Sequence, residues 1–438
     1  MTEEHVVVVG AGFAGFFAAR RLEKALPEDV RLTVVSDDDH MCYSPLLPEV
    51  ASGSIEPRRL AVPLQESLRR ARVVQAEVTG FDPEALRLTW CGLDGQTDHL
   101  DATRVLLTAG SVTKTFDTPG LLDHGHGLKS LADAVYIRDH VLKQLQLADL
   151  TDDPEEKEAR CTFLVVGAGY AGSESAAQIQ RMSERAVERF PRLQRSDLRW
   201  VLVDLSEEVL PELGGLLADR ALDLLRDRGM DVRLGVTIEE AHADRVVLTD
   251  GSELGTHTVI WCAGVRPAPL VEGTGLETSK GRLVVDEWMR VPDHPGVYAA
   301  GDVAAVPDLS KDPDDDGVHP VCPPTAQHAQ RQGNTLGKIV AADVKGEDPR
   351  PYKHRDLGLV ADFGGAEGVA KPLGIPITRL PAKIVAKGYH LYALPSIGGR
   401  ARVAADWAVG LFSDPPVTQL GFVQADEARL PAPPAKTG

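Results

Sequence analysis

The stretch Val6-Val-Val-Val-Gly-Ala-Gly-Phe-Ala-Gly15 returns, nearly letter for letter, as Phe163-Leu-Val-Val-Gly-Ala-Gly-Tyr-Ala-Gly172. A second echo, Leu106-Leu-Thr-Ala-Gly110 against Ile260-Trp-Cys-Ala-Gly264, follows at almost the same spacing. Self-similarity of this kind calls for two structural units of one type rather than a single large core. In each copy a four-residue apolar strand runs into Gly-x-Gly-x-x-Gly and then into an alanine-rich helix. The first glycine (Gly10, Gly167) permits a tight turn, the second (Gly12, Gly169) lets a pyrophosphate reach the backbone, and the third (Gly15, Gly172) lets helix and strand pack closely. The helix N-terminus then faces the anion. One such pattern marks little more than a βα turn; two in matching context mark two nucleotide cradles.

Short alternating strands precede the second echo in both copies, Val73 to Trp90 and Val232 to Leu248, and read as a small β-meander attached to a parallel sheet. The predicted fold class is α/β, with two Rossmann-like three-layer nucleotide-binding domains, β-meander inserts and a small α+β C-terminal domain. The expected division is 1–115 with 281–345 for the first nucleotide domain, 116–280 for the second, and 346–438 for the C-terminal domain. The polar run Asp152-Asp-Pro-Glu-Glu-Lys-Glu158 reads as a linker between the copies, and the Pro/Ala tail Leu430 to Gly438 as a frayed end. Thr325 is expected to cap a helix over Ala326 to Val340.

The next strand of each copy should end in an acid that holds a ribose. In the second copy Trp200-Val-Leu-Val-Asp204 supplies it, and Glu207 and Glu208 follow with no nearby Arg to receive a 2′-phosphate. Two like charges ~4 Å apart cost about 4 kcal/mol at an effective dielectric of ~20 before salt screening, which favours NADH over NADPH. In the first copy Leu32-Thr-Val-Val35 ends in Ser36 followed by Asp37, so the acid is either displaced by one residue or replaced by a hydroxyl.

With Val297-Tyr-Ala-Ala-Gly-Asp302 downstream of both glycine motifs, the chain resembles the two-dinucleotide-binding flavoprotein reductases. That resemblance implies FAD on the first fold, NAD(P)H on the second, and Asp302 hydrogen-bonded to the ribityl chain. Many such reductases carry a redox-active cysteine pair after the first fold, but the run from His40 to Gly53 holds Cys42 alone. That run, together with Ala263-Gly-Val-Arg-Pro267, Thr325-Ala-Gln-His-Ala-Gln-Arg-Gln-Gly333, Asp406-Trp407 and Phe412-Ser-Asp414, resembles the type II NADH dehydrogenases, the single-subunit NADH:quinone oxidoreductases. The likeness spans about residue 5 to residue 422. It implies an enzyme in which NADH gives a hydride to FAD and the reduced flavin passes two electrons to a quinone, menaquinone or ubiquinone, without pumping protons.

By the same resemblance FAD is held by Gly10, Gly12, Phe13, Ala14, Gly15, Ser36, Asp37, Ser44, Pro45, Val78, Ala109, Gly110, Gly301, Asp302, Ala326 and Gln327. NADH is held by Gly167, Gly169, Tyr170, Ala171, Gly172, Glu174, Asp204, Ala263 and Gly264. Ala326-Gln327-His328-Ala329 matches the family's quinone motif Ala-Gln-x-Ala-x-Gln, except that its last glutamine falls on Arg331, with Gln330 and Gln332 beside it. Gln327, Gln330 and Pro45 are the expected quinone contacts, and Gln327 and Glu174 the expected catalytic residues. A helix N-terminus at Ala326 would set free amides near the flavin's pyrimidine edge and stabilise negative charge on the reduced ring. Glu174 matches the family's acid near the nicotinamide; a first-turn acid facing the helix dipole explains it equally well. His328 reads as structural.

Composition narrows the class further. Lys and Arg total 47 against 65 Asp and Glu, a net charge of −18, so nucleic acid is not an expected partner. The 5 cysteines are scattered without a C-x-x-C pair, which points to neither a disulfide scaffold nor a zinc site and fits a reducing cytosol. Asp312-x-Asp314-x-Asp316-Gly317 copies half a calcium loop but has Pro323 where that loop needs Glu, so no metal is expected. No apolar stretch reaches the ~18 residues of a membrane span, and the acidic start is unlike a secretory signal. The expected location is cytoplasmic, peripheral at the inner face of the cell membrane, with contact through the C-terminal domain. There Val403, Ala404, Trp407, Ala408 and Leu411 share a helix face that suits the core, a homodimer mate or lipid, and Lys383, Lys387, Tyr389 and Tyr392 suit a headgroup boundary. Two rival readings are a soluble flavoprotein reductase acting on a ferredoxin, a small disulfide or a biosynthetic intermediate, and a non-catalytic nucleotide sensor.

Overall fold

The valine run of the first copy forms a strand buried on both faces, His5–Val9, parallel to Arg31–Ser36 on one side and Arg104–Leu107 on the other. The computed structural model describes residues 3–432 and divides into two compact units. The first comprises Met1–Tyr43, Ala61–Val112 and Val265–Arg355; the second comprises Ser44–Leu60, Thr113–Gly264 and Asp356–Gly438.

The first unit's sheet runs in the order Val297–Ala299, Arg104–Leu107, His5–Val9, Arg31–Ser36, Arg72–Asp82, Arg87–Gly92, Thr97–Asp101. Its first five strands are parallel, and the order reverses direction at His5–Val9. That reversal opens a crevice at the strands' carboxyl ends, where the first glycine loop lies. The helix Ala326–Lys345 packs against Phe13–Ala25 along two glycines. A Cβ on Gly333 would stand 2.1 Å from the carbonyl oxygen of Ala14, and one on Gly337 2.7 Å from that of Ala18.

The second unit repeats the plan. Thr162–Val166 lies parallel between Arg199–Asp204 and Thr258–Trp261, with Asp231–Leu234 and Gly125–Gly127 outside them. The expected meanders are both present but joined differently. In the first unit one strand serves two sheets in succession: Arg72–Asp82 pairs in parallel with Arg31–Ser36 and then antiparallel with Arg87–Gly92. In the second, Gly235 at φ +71 breaks the chain, and Ile238–Ala241, Arg245–Leu248 and Glu253–Gly255 form a separate antiparallel sheet.

Three expectations differ from the structure. Residues 152–158 are not an open linker, because Asp153 caps the helix Pro154–Cys161, which leads directly into Thr162–Val166. Residues 356 onward cluster with the second unit instead of standing apart as a third domain. The small sheet Val360–Asp362, Gly368–Ala370, Ile377–Thr378 has an apolar side to cover, and Arg228 ties it down, donating to Phe363 O and pairing with Glu367 at 3.1 Å. Leu430 is not frayed: it is 6% exposed in a core cluster with Val259 and Trp261, and Thr115 Oγ1 donates to Pro431 O. The rest of that tail, 433–438, lies outside the described residues. No helix among the described residues is long and apolar enough to cross a membrane.

Candidate functional site

The two glycine loops match position by position. Gly10, at φ +83, runs under Ala109, whose Cα would stand 2.7 Å from a Cβ; a Cβ on Gly15 would stand 1.9 Å from Gly10 O. In the second unit a Cβ on Gly167, at φ +110, would meet Cys262 O at 2.5 Å and Ala263 N at 3.0 Å, and one on Gly172 would meet Gly167 O at 1.8 Å. Around Gly12 and Gly169 a Cβ would meet nothing within 4 Å. The outer glycines are therefore demanded by packing, while the middle one opens onto space. The helices that follow, Phe13–Ala25 and Tyr170–Val187, have no side-chain cap, so their first-turn amides and positive dipole ends are offered to an anion. Phe13, Ala14, Tyr170 and Ala171 form those first turns. Both cradles fit the pyrophosphate of a dinucleotide.

The strand tips differ. Gly10 N donates to Val35 O and Gly167 N to Val203 O, at 2.7 and 2.8 Å. In the second unit the Asp204 carboxylate then accepts from Ala168 N and Ser206 N, which fixes it beside the glycine loop. In the first, Ser36 is buried and its hydroxyl donates to Asp37 Oδ1 at 3.5 Å, while the Asp37 carboxylate is exposed. The carboxylate at this tip is thus displaced by one residue. Gly264 holds φ +98 just after Ala263.

Within the first unit, Ser111 Oγ donates to Asp302 Oδ2 at 2.5 Å, which brings Gly110-Ser111 and Gly301-Asp302 together. Gly301 N donates to the buried Gln332 Oε1 at 2.8 Å, and a Cβ on Gly301 would touch Ala14 and Ala329. The Gly301-Asp302 turn is therefore seated between the starts of two helices. Val78 lies farther along Arg72–Asp82, opposite Trp90. Thr325 caps the second helix, accepting from His328 N, as its sequence signals. The Gln327 side chain accepts from Arg331, Gln330 is half-buried on the same helix, and His328 stacks on His354. Burial, with His354 beside it, pushes the His328 imidazole down to about 4, so it is neutral.

Within the second unit, Glu174 is one of three carboxyl groups around a small cavity. Pro45, Pro48, Glu49, Glu174, Gln178 and Asp362 line it, together with Leu46 and His390. Ser44 and Pro45 belong to this unit, in a 3-10 turn ahead of Leu47–Ala51. Glu174 Oε1 accepts from Asp362 N at 2.7 Å. Burial drives the Glu174 carboxyl well above the ordinary glutamate range, with Asp362 and Glu49 adding to the shift. Burial also raises Glu49, opposed by Lys387 at 3.2 Å and by Trp407 Nε1, which donates at 2.6 Å. Sequence reasoning named Glu174 and passed over Glu49 and Asp362. The signal for Glu49 is an acid inside the apolar run Leu46-Leu-Pro-Glu-Val-Ala51; for Asp362 none was visible. Among the described residues no cysteine forms a disulfide, and no cluster of His, Cys, Asp and Glu is arranged for a metal.

Comparison with known proteins agrees with this geometry. A family model described as pyridine nucleotide-disulphide oxidoreductase matches residues 4–333. The type II NADH:quinone oxidoreductase NdhA of Mycobacterium tuberculosis is 30% identical over 424 residues, covering 93% of this chain and 86% of its own. Ndh of the same organism, also a type II NADH:quinone oxidoreductase, is 28% identical, with 93% and 88% covered. Among solved structures, NDH2 from Plasmodium falciparum in complex with NADH superposes with a TM-score of 0.86 at 16% identity, over 95% of this chain and 100% of that one. The sulfide:quinone oxidoreductase of Aquifex aeolicus shares the fold less closely, with a TM-score of 0.70 at 18% identity over 93% and 95% of the two chains. Two matched dinucleotide cradles, a lone cysteine where the dithiol reductases carry a pair, and relatives aligned over nearly the whole length have one explanation: this chain belongs to the pyridine nucleotide-disulphide oxidoreductases and, within them, to the type II NADH:quinone oxidoreductases.

Proposed function

We propose that the protein is an FAD-dependent NADH:quinone oxidoreductase that does not pump protons. The observation that carries this reading is the doubled cradle, in which Gly12 and Gly169 both open onto space at an uncapped helix N-terminus. FAD, when bound, accepts the hydride and hands two electrons onward; the chain positions it and shapes the field around it. Gly10, Gly12 and Gly15 would take the FAD pyrophosphate, Asp37 the adenosine ribose, and Asp302, oriented by Ser111, the ribityl hydroxyls. Gly167, Gly169 and Gly172 with Asp204 would take NADH. The carboxylates of Asp204, Glu207 and Glu208 oppose a 2′-phosphate. Gln327 is the proposed quinone contact, and Glu174, its carboxyl driven up by burial, has the raised affinity for a proton that a donor beside the nicotinamide would need.

Purified protein should be yellow, anaerobic NADH should bleach it in one fast phase, and a short-chain quinone should restore the colour. NADPH should act far more slowly. Protein that folds but takes up no flavin would end the proposal.

We further propose that the C-terminal helices form a peripheral membrane face. On Arg379–Ala393, Leu380, Ile384, Gly388 and Tyr392 are exposed at four-residue spacing. On Ile397–Val409 the uncharged residues Ile397, Ala401, Ala405, Ala408 and Val409 are exposed, with Arg402 exposed among them, and Leu411 and Phe412 follow at 80% and 90% exposure. An outward apolar stripe is what an interfacial helix needs. The helix face expected to be apolar throughout is thereby split: Val403 is buried and Trp407 turns to Glu49, while Ala408 and Leu411 face out.

A further inference from the structure

The position four residues after Gln327 carries Arg331 where the family motif has glutamine. Arg331 Nη1 lies 2.5 Å from Gln327 Oε1 and 3.3 Å from His354 Nε2. A guanidinium has donors only. The two hydrogens of Nη1 therefore define two acceptors: Gln327 turns its carbonyl oxygen, not its amide nitrogen, toward Arg331, and His354 is unprotonated at Nε2. A neutral His354 then carries its proton on Nδ1, 3.0 Å from Tyr352 Oη, and the tyrosine oxygen also lies 3.4 Å from His328 Nδ1. Tyr352 and His328 are buried, and the His328 and His354 rings stack 3.7 Å apart at 17°. The cation sets the direction of the two contacts that it makes.

We propose that Arg331 is a positioning residue that commits Gln327 to donate a hydrogen bond, through Nε2, to a carbonyl oxygen of the electron acceptor. The proposal rests on the reading of Gln327 as the quinone contact. Where two glutamines face each other at this spacing, either amide can flip, so each can donate or accept. An arginine removes that choice. A fixed N–H donor stabilises an acceptor oxygen most when negative charge builds on it, as on a quinone carbonyl during reduction. Hexacyanoferrate(III), an electron acceptor without such an oxygen, gains nothing from it.

Gln327→Glu tests the donor directly, since it keeps the size and the Arg331 contact but has no N–H to give. Arg331→Met removes the cation, and Arg331→Lys keeps a charge without the planar fork. With flavin-loaded protein and NADH, Gln327→Glu should lower kcat/KM for a short-chain quinone at least ~tenfold, the scale of one hydrogen bond left unmade. Arg331→Met should raise the quinone KM by roughly tenfold with a smaller change in kcat, and Arg331→Lys should recover part of it. Hexacyanoferrate(III) rates should stay within about twofold in both Arg331 variants. Calorimetric titration of the quinone into oxidised protein, without NADH, should show the same order of affinities. Wild-type quinone affinity and turnover in Gln327→Glu would overturn the donor assignment, and an unchanged quinone Kd and KM in Arg331→Met would overturn the role of Arg331. Equal loss of quinone and hexacyanoferrate(III) activity in Arg331→Met would remove the acceptor-site reading, and this proposal with it.

Discussion

Glu174, Glu49 and Asp362 face one another with Lys383, Lys387 and His390 as their near neighbours. His390, pushed down to about 4 by burial and then by Lys387, adds no charge near neutral pH. Three acids against two cations leave an excess of negative charge in an enclosed place, and burial with that excess raises the Glu174 and Glu49 carboxyls. For Glu174 the folded-state pKa lies above the unfolded one, so the native protein keeps a proton that the unfolded chain releases. Its contribution is complete below the unfolded value and disappears as pH rises through the folded one. Glu174→Gln is permanently neutral. The variant should therefore lose less stability toward alkaline pH, its melting temperature gaining on the parent's by roughly 2–5 °C between pH 6 and pH 9. A parallel pair of melting curves across that range would mean that Glu174 is ionised throughout. The motif makes Glu174 legible in the sequence because it follows the last glycine by two positions. The cluster around it is not legible: Glu49, Asp362 and Lys387 come from segments far apart in the chain, and only tertiary packing brings their charges into one cavity.

At the level of elements, the two glycines of Ala326–Lys345 matter more than its cap. Thr325 satisfies one amide, worth about 1 kcal/mol, whereas Gly333 and Gly337 set how closely two helices approach. Even one methyl group at Gly333 meets the carbonyl oxygen of Ala14 at 2.1 Å, so the helices must part. Gly333→Val should destabilise the protein by roughly 3 kcal/mol or more. It should also weaken flavin retention, because Ala14 and Gly301 meet beside this contact. Gly388→Ala, in the open on Arg379–Ala393, is the matched control and should stabilise by ~0.5–1 kcal/mol. Melting temperatures with and without added FAD separate the two effects, and wild-type behaviour of Gly333→Val would refute the close-packing argument. Both Rossmann-like units were legible because the parallel strands are apolar on both faces and the glycines recur. Residues 152–158 were misread because Pro154 looks like a breaker, yet at the first helical position it costs no hydrogen bond, and Asp153 supplies the cap.

For the molecule as a whole, net charge and the proposed membrane attachment pull in opposite directions. A protein of charge −18 is repelled by an anionic surface unless attachment is local and apolar. Residues 379–409 offer both conditions, with Arg379, Lys383, Lys387, Arg400 and Arg402 against Asp406 alone. Lys383 and Lys387 are drawn into the carboxylate cluster, so Arg379 and Arg402, both exposed, are left to face headgroups. The proposed attachment would then come mostly from the apolar side chains. Burying an Ile contributes ~1.5–3 kcal/mol, so replacing Ile384 and Ile397, 63% and 83% exposed, removes at least two decades of vesicle affinity. Ile384→Glu/Ile397→Glu should stay in the supernatant when sedimented with phosphatidylcholine vesicles that carry the parent down. Its hexacyanoferrate(III) rate in solution should be unchanged, while turnover of a long-chain quinone held in those vesicles falls at least ~tenfold, since the substrate stays in a phase the enzyme no longer visits. If instead the parent ignores vesicles and sediments as a dimer that the double variant splits, the stripe belongs to a second copy of the chain and the proposed membrane face falls.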